Sequence, residues 1–209
     1  MSDAPLSVIY DIGNVLLRWD ARPVFADYLA GDAAVAAFME EIDFHDWNLD
    51  FDRGRDWAEG VAEKVARHPH HAAAIRAFES RWHETLPGEV EGSVAILEAL
   101  KAAGVPLYAI TNYSGQRWAE TLPRFPWLAD AFRDVVVSGH EGIVKPDPEI
   151  FRRCLVRNGL DAARCVFIDD NAANVAAAAA LGIDAIRFTD APALRDALVR
   201  RGLLPVETA

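Results

Sequence analysis

Residues 165–174 read Cys165-Val-Phe-Ile-Asp169-Asp170-Asn171-Ala-Ala-Asn174, and an alanine-rich tail continues to Leu181 and stops at Gly182. A short apolar run without alternation is what a strand buried on both faces requires, because neither face meets water. The alanines after it favour helix, and the glycine is a ready terminator. Strand, acidic turn and helix in that order form the repeating unit of a parallel α/β sheet.

Working outward, the same kind of run recurs at Ser7–Asp11, Val105–Thr111, Asp134–Ser138 and Ile183–Phe188. Helical patterns separate them. Val94, Leu97 and Leu100 mark a helix over Val90–Ala103 that stops at Gly104. Asp147-Pro148 supplies an N-cap and a first-turn proline for a helix ending near Asn158-Gly159. The fold expected is α/β, a doubly wound parallel sheet. Residues 16–87 break the rhythm, with helical periodicity at Ala21–Ala30, Asp32–Ile42, Arg55–Arg67 and Ala72–Thr85 and no convincing strand. They read as an all-helical cap inserted after the first strand, leaving 1–15 and 88–209 as the core domain. The cap holds four of the six tryptophans and five of the six histidines. Such aromatics suit a lid with a substrate-facing surface.

Bulk properties narrow the function. A net charge of −11 argues against nucleic acid or an anionic membrane as partner, since both reward basic surfaces. An acidic chain can still take a phosphate ester if it supplies a local cation. The opening residues lack a basic n-region, and Asp3 and Asp11 interrupt the apolar run, so no signal peptide is expected. Val175–Ile183 is too short to span a bilayer. Cys154 and Cys165 have no metal-ligand spacing and read as reduced core residues. A cytoplasmic protein, monomer or homodimer, is expected.

In a doubly wound sheet, ligands bind beyond the carboxyl ends of the strands. The residues there are Asp11, Thr111-Asn112, Ser138 with Lys145 shortly after, and Asp169-Asp170. Carboxylates, a hydroxyl, an amide and an ammonium on one sheet edge are what phosphoryl transfer needs.

With those residues in place, the sequence resembles the haloacid dehalogenase superfamily of hydrolases, near its small bacterial sugar-phosphate phosphatases carrying DxGNV. Tyr10-Asp11-Ile12-Gly13-Asn14-Val15, Ala109-Ile110-Thr111-Asn112, Lys145 in GIVKPDPEIF, and VFIDDNAANV match its four motifs in order. The resemblance implies a Rossmann-like core and a Mg²⁺-dependent phosphatase acting on a small phosphorylated metabolite through an aspartyl-phosphate. It makes Asp11 the nucleophile. It assigns Mg²⁺ to Asp11, the Gly13 backbone carbonyl and Asp170. Thr111, Asn112, Asn14 and Lys145 would contact the phosphoryl group, with help from backbone N–H groups of a helix beginning near Asn112. Asp169 and Asn174 would orient Lys145 and the water around the metal.

One departure stands out. Most phosphatases of this superfamily carry a second aspartate two residues after the nucleophile, as general acid and base; here it is Gly13. Without it, anomeric or acyl phosphates should be preferred over primary alkyl phosphates, unless the cap supplies the proton, with His45 and Asp46 the first places to look. Along with Trp47, Asp52 and Arg53, they occupy a stretch that reads equally as substrate-contacting or as an ordinary interhelical loop. Two other functions share the motifs: L-2-haloacid dehalogenation by the same aspartate, and a catalytically weak binding or regulatory protein. The His68-Pro-His-His71 run reads as a surface turn.

Overall fold

The apolar runs pair into a parallel sheet whose first strand lies at its centre. The computed structural model describes residues 6–206, so residues 1–5 of the opening segment and 207–209 lie outside it. The strands are β1 (Ser7–Tyr10), β2 (Leu17–Arg18), β3 (Gly88–Glu89), β4 (Leu107–Thr111), β5 (Asp134–Val137), β6 (Cys165–Asp169) and β7 (Asp184–Arg187). Five form one sheet in the order β5-β4-β1-β6-β7. All neighbours in it are parallel. Parity along each run divides two core layers. Val8, Tyr10, Val166 and Ile168 face one side, and Ile9, Ile110 and Phe167 face the other. That double burial is why the strands read as continuous apolar runs.

Helices α1 (Arg22–Ala26), α2 (Asp32–Glu41), α3 (Phe44–Asp52), α4 (Trp57–Arg67) and α5 (Ala72–Ser80) fill the interval between β2 and β3. After them come α6 (Ser93–Ala102), α7 (Gly115–Thr121), α8 (Trp127–Ala131), α9 (Ser138–Glu141), α10 (Pro148–Asn158), α11 (Ala172–Ala180) and α12 (Ala191–Arg200). The caps of α10 are those its sequence suggests: the Asp147 side chain accepts from the Glu149 N–H, and Gly159 closes the helix at φ 61°.

Two features depart from the sequence reading. Residues 44–52 are helical, not an interhelical loop. The stretch 16–87 also contains a strand, because Leu17-Arg18 pairs antiparallel with Gly88-Glu89. That ribbon brings together the points where the chain leaves the sheet and returns. Several of the aromatics between them serve packing. Phe25, Phe38, Phe51, Phe78 and Trp47 are buried at 2% exposure or less, with Phe51 stacked on Trp57 at 4.1 Å between centroids. Both cysteines are free and buried. Among the described residues no helix is long and apolar enough to cross a membrane.

Candidate active site

The strand order places β1 between β4 and β6, so the carboxyl ends of these three strands meet where the winding reverses, the usual ligand position in such sheets. Asp11 follows β1 directly, with its N–H bonded to the Ile168 carbonyl of β6 at 2.8 Å. The chain then turns tightly. The Leu16 and Leu17 N–H groups both reach the Ile12 carbonyl, the Asn14 N–H reaches the Leu17 carbonyl at 2.7 Å, and Asn14 takes the left-handed conformation at φ 55°. Asparagine tolerates that region better than most residues. Its Oδ1 accepts from the Trp19 N–H at 3.0 Å.

Lys145 is the cation of the site and is almost fully buried, at 2% exposure. Its Nζ lies 2.8 Å from Asp11 Oδ1 and 2.7 Å from Asp169 Oδ2. Asp169 is in turn held by Asn174 Nδ2, at 3.1 and 3.0 Å to its two oxygens, and by the Asn171 N–H at 2.8 Å. Carboxylate oxygens of Asp11, Asp169 and Asp170 all lie within 4.8 Å of one another. Three carboxylates thus crowd round one ammonium. Burial pushes Asp11 upward most, Lys145 pulls it down, Asp169 and Asp170 push it up, and it settles above the ordinary carboxylate range. Asp170 is raised too, by burial and then by Asp169. Burial pulls Lys145 down, but Asp11 and Asp169 outweigh it and leave it above its usual value.

These residues open onto a cavity of about 590 Å³ whose wall includes Asp11, Gly13, Asn14, Asn112, Lys145 and Asp170. Its far wall comes from residues 39–57, chiefly one face of α3: His45, Asn48, Leu49 and Asp52. Trp19, Phe44, Trp57, Trp82 and Tyr113 make much of the remainder apolar. The 45-48-49-52 spacing is that of one helix face, a signal present in the sequence and overlooked when the segment is read as a loop. Asp46 lies off that face and is exposed; Trp47 is core.

The other expected phosphate contacts lie as follows. Thr111 ends β4 with its hydroxyl fully buried and without a protein partner, but it is not part of the cavity wall. The Asn112 side chain is engaged elsewhere: Nδ2 donates to the Lys145 carbonyl at 3.0 Å and Oδ1 accepts the Lys145 N–H at 2.7 Å. It fixes the lysine backbone with one of its two amide hydrogens and with its oxygen, while the residue stays in the cavity wall. The helix expected near Asn112 begins at Gly115, after an N-cap at Ser114. Ser138, missed as a contact, joins the two halves of the chain. Its Oγ accepts from the Tyr113 N–H at 2.9 Å and donates to the Asp52 carbonyl at 2.6 Å. Away from the cavity, His68, His70 and His71 gather on Glu41 at 2.9–3.4 Å, within a 3₁₀ turn as the surface reading expects.

The family model of haloacid dehalogenase-like hydrolases matches residues 7–182. Acyl-CoA dehydrogenase family member 10 of Mus musculus is 28% identical over 194 residues, 87% of this chain and 18% of that protein. Sesquiterpene phosphatase astK of Aspergillus oryzae is 33% identical over 96 residues, 46% of this chain and 48% of that protein. The matched region is therefore less than half the length of either relative. Among solved structures, a HAD family enzyme from Bacteroides thetaiotaomicron, in complex with magnesium and inorganic phosphate, superposes with a TM-score of 0.72 at 22% identity. That match covers 90% of this chain and 96% of the other. At such identity the likeness speaks for the fold.

Proposed function

The chain belongs to the haloacid dehalogenase-like hydrolase family, and from that premise we propose that it is a magnesium-dependent phosphatase of small phosphorylated metabolites. The observation that carries the reading is the meeting of Asp11, Asp169, Asp170 and the single ammonium of Lys145 at the reversal point of the sheet. An aspartate nucleophile must be ionised, yet burial and two neighbouring carboxylates push Asp11 toward protonation. Hard oxygen donors in excess over the local positive charge suit a divalent cation of the magnesium type. Asp169 is already held by Lys145 and Asn174. Asp11, the Gly13 carbonyl and Asp170 are therefore the donors we assign to it.

When bound, Mg²⁺ would supply the positive charge that keeps Asp11 ionised and offsets charge on the phosphoryl oxygens. The protein's own groups do the rest. Lys145, fixed by Asp169 through its side chain and by Asn112 through its backbone, holds the attacking Asp11 oxygen and neutralises charge as phosphorus is approached. The buried, unpartnered Thr111 hydroxyl is a donor held in reserve for a phosphoryl oxygen. The cavity, part apolar and part polar, excludes water around an ester with a ring or apolar body, a sugar phosphate among them. A cytoplasmic location belongs to the same proposal.

L-2-haloacid dehalogenation by Asp11 fits less well, because it needs no metal and leaves three crowded carboxylates with one cation. A catalytically weak binding protein has no use for a buried nucleophile held by its own lysine. Hydrolysis of a panel of phosphorylated metabolites with Mg²⁺ or with chelator separates the three. We expect activity that chelator abolishes, and none in Asp11→Asn. Halide release indifferent to chelator, or Asp11→Asn retaining more than a few per cent of the wild-type rate, would sink the phosphatase reading.

A further inference from the structure

Gly13 leaves the leaving-group oxygen without a proton donor on the nucleophile's own loop, and the opposite wall of the cavity holds a carboxylate that fits the vacancy. Asp52 is the last residue of α3 and lines the cavity together with Asp11, Gly13 and Lys145. It is firmly placed. Its carbonyl accepts from Ser138 Oγ at 2.6 Å, and its Oδ2 accepts from Asn48 Nδ2 at 3.2 Å. The Ser114 N–H also bonds the carboxyl, three residues beyond Thr111, and Lys145 lies near enough to be felt. Ser114 is itself fixed by Trp57 Nε1, which donates to its Oγ at 2.9 Å. The side chain of Asp52 is thus tied to the loop that follows β4 and its backbone to Ser138, directly after β5, so the group is fixed in the wall of the cavity it shares with Asp11 and Lys145.

Resting on the phosphatase reading, we propose that Asp52 is the general acid and base of this enzyme, taking the role that Gly13 cannot fill. As an Asp11 oxygen bonds to phosphorus and the ester P–O bond breaks, the Asp52 carboxyl gives its proton to the leaving oxygen, which departs as a neutral alcohol. The resulting carboxylate then takes a proton from the water that attacks phosphorus. The P–O bond to Asp11 breaks, inorganic phosphate leaves, and Asp52 is protonated again. The environment agrees with the role. Burial, the largest influence, pushes the Asp52 carboxyl up to about 7, against the Ser114 N–H, Lys145 and Arg53. An acid–base group works best when its pKa lies near the working pH.

Two other titratable residues of the insertion line the cavity, Glu40 on α2 and His45 seven residues earlier on the same helix as Asp52, and neither has a bond to the β4 loop among the contacts of the described residues. Geometry also explains why a donor at 13 is dispensable rather than forbidden: a Cβ built on Gly13 meets nothing within 4 Å.

The test is kcat/KM for phosphate monoesters ranked by leaving-group pKa, in Mg²⁺, on wild type, Asp52→Asn, Asp52→Glu and the double variant Gly13→Asp/Asp52→Asn. Wild type should show a shallow dependence. Asp52→Asn should lose about 10²–10⁴-fold on alkyl phosphates and under about tenfold on p-nitrophenyl phosphate. It should also accumulate phosphorylated protein, because the second step lacks its base. Asp52→Glu should keep the shallow slope, and Gly13→Asp should restore it. Binding of beryllium fluoride with Mg²⁺ reports that the nucleophile and fold survive in each variant. Asp52→Asn with the wild-type slope, Asp52→Asn and Asp52→Glu losing equally on every ester, or a slope steepened by His45→Ala instead, would overturn the assignment. Wild type without Mg²⁺-dependent hydrolysis of any ester would instead overturn the phosphatase reading beneath it.

Discussion

Gly54, two residues beyond Asp52, tests whether the helical insertion is seated on the sheet domain by backbone contact. Its φ of +95° is a conformation that L side chains rarely adopt, and a Cβ built there would lie 2.7 Å from the Gly139 carbonyl oxygen. Gly159 provides the control: φ is +61° in the left-handed region, yet its Cβ would meet nothing within 4 Å. Alanine at either position carries the left-handed penalty, about 1–2 kcal/mol. Only at Gly54 is a clash added, and against backbone, which yields less than a side-chain tip. Overpacking of that kind costs typically about 1–3 kcal/mol. Gly54→Ala should therefore be less stable than Gly159→Ala by about 1–3 kcal/mol. In a chain of this size each kcal/mol moves Tm by roughly 2–4 °C, so the two melting curves should separate by roughly 2–12 °C. Differential scanning calorimetry at one pH and one Mg²⁺ concentration reads this directly. Because Gly139 follows the serine that holds the Asp52 carbonyl, the same variant should lose more activity on alkyl phosphates than on p-nitrophenyl phosphate. Equal melting temperatures for the two variants would refute the claim that the Gly54–Gly139 contact seats the insertion.

Other outcomes follow from the site. Asp170→Ala should raise the Mg²⁺ concentration for half-maximal rate far more than Asp169→Ala, measured by metal titration of the rate; the reverse order would exchange their roles. Asn112→Ala should lower kcat roughly 10–100-fold, the usual effect of removing a group that orients a ligand or catalytic residue, while Asn112→Asp, which keeps only the acceptor for the Lys145 N–H, should fall between. Asp52→Asn should change how stability depends on pH. The wild-type carboxyl is raised in the folded state to about 7 from 3.8, so folding favours its protonated form. Wild-type stability is complete below about pH 4 and declines as pH rises through about 7, whereas the asparagine has no such decline. The charged and titratable groups around it are Lys145, Arg53 and the Tyr113 phenol. Thermal melts at pH 4 and pH 8 should show the variant gaining on wild type only at the higher pH.

The sheet was legible because buried parallel strands leave short apolar runs closed by polar residues, here repeated between helical segments along the chain. The carboxyl-end residues could be collected from the same runs, which is why Asp11, Lys145, Asp169 and Asp170 could be named together before any distance was known. What escaped has a common physical cause. The β2–β3 ribbon is two residues long and pairs positions some seventy residues apart, so it has no local pattern. The helix α3 carries so many polar residues that its periodic face looked like a loop. Asn112 bears an amide that suits phosphate, and only the tertiary position of the Lys145 backbone shows that it also fixes the lysine. Asp52 was visible as a polar residue of the insertion, but its closeness to the β4 loop depends on the docking of α3 against α9.

The central place of β1 also bears on how the protein is made. Ser7 pairs in register with Cys165, and Val8 with Leu107 and Val166. β1 must wait for its neighbour β6, whose residues are synthesised well over a hundred positions after its own. At about 5–20 residues per second, β1 spends on the order of ten to thirty seconds without one of its two neighbours. Its apolar Val-Ile-Tyr run is then open on an edge that the finished sheet closes completely. Newly made chains should depend on holding chaperones more than chains in which early strands pair with each other, and truncation before β6 should leave an aggregation-prone fragment, not a smaller enzyme.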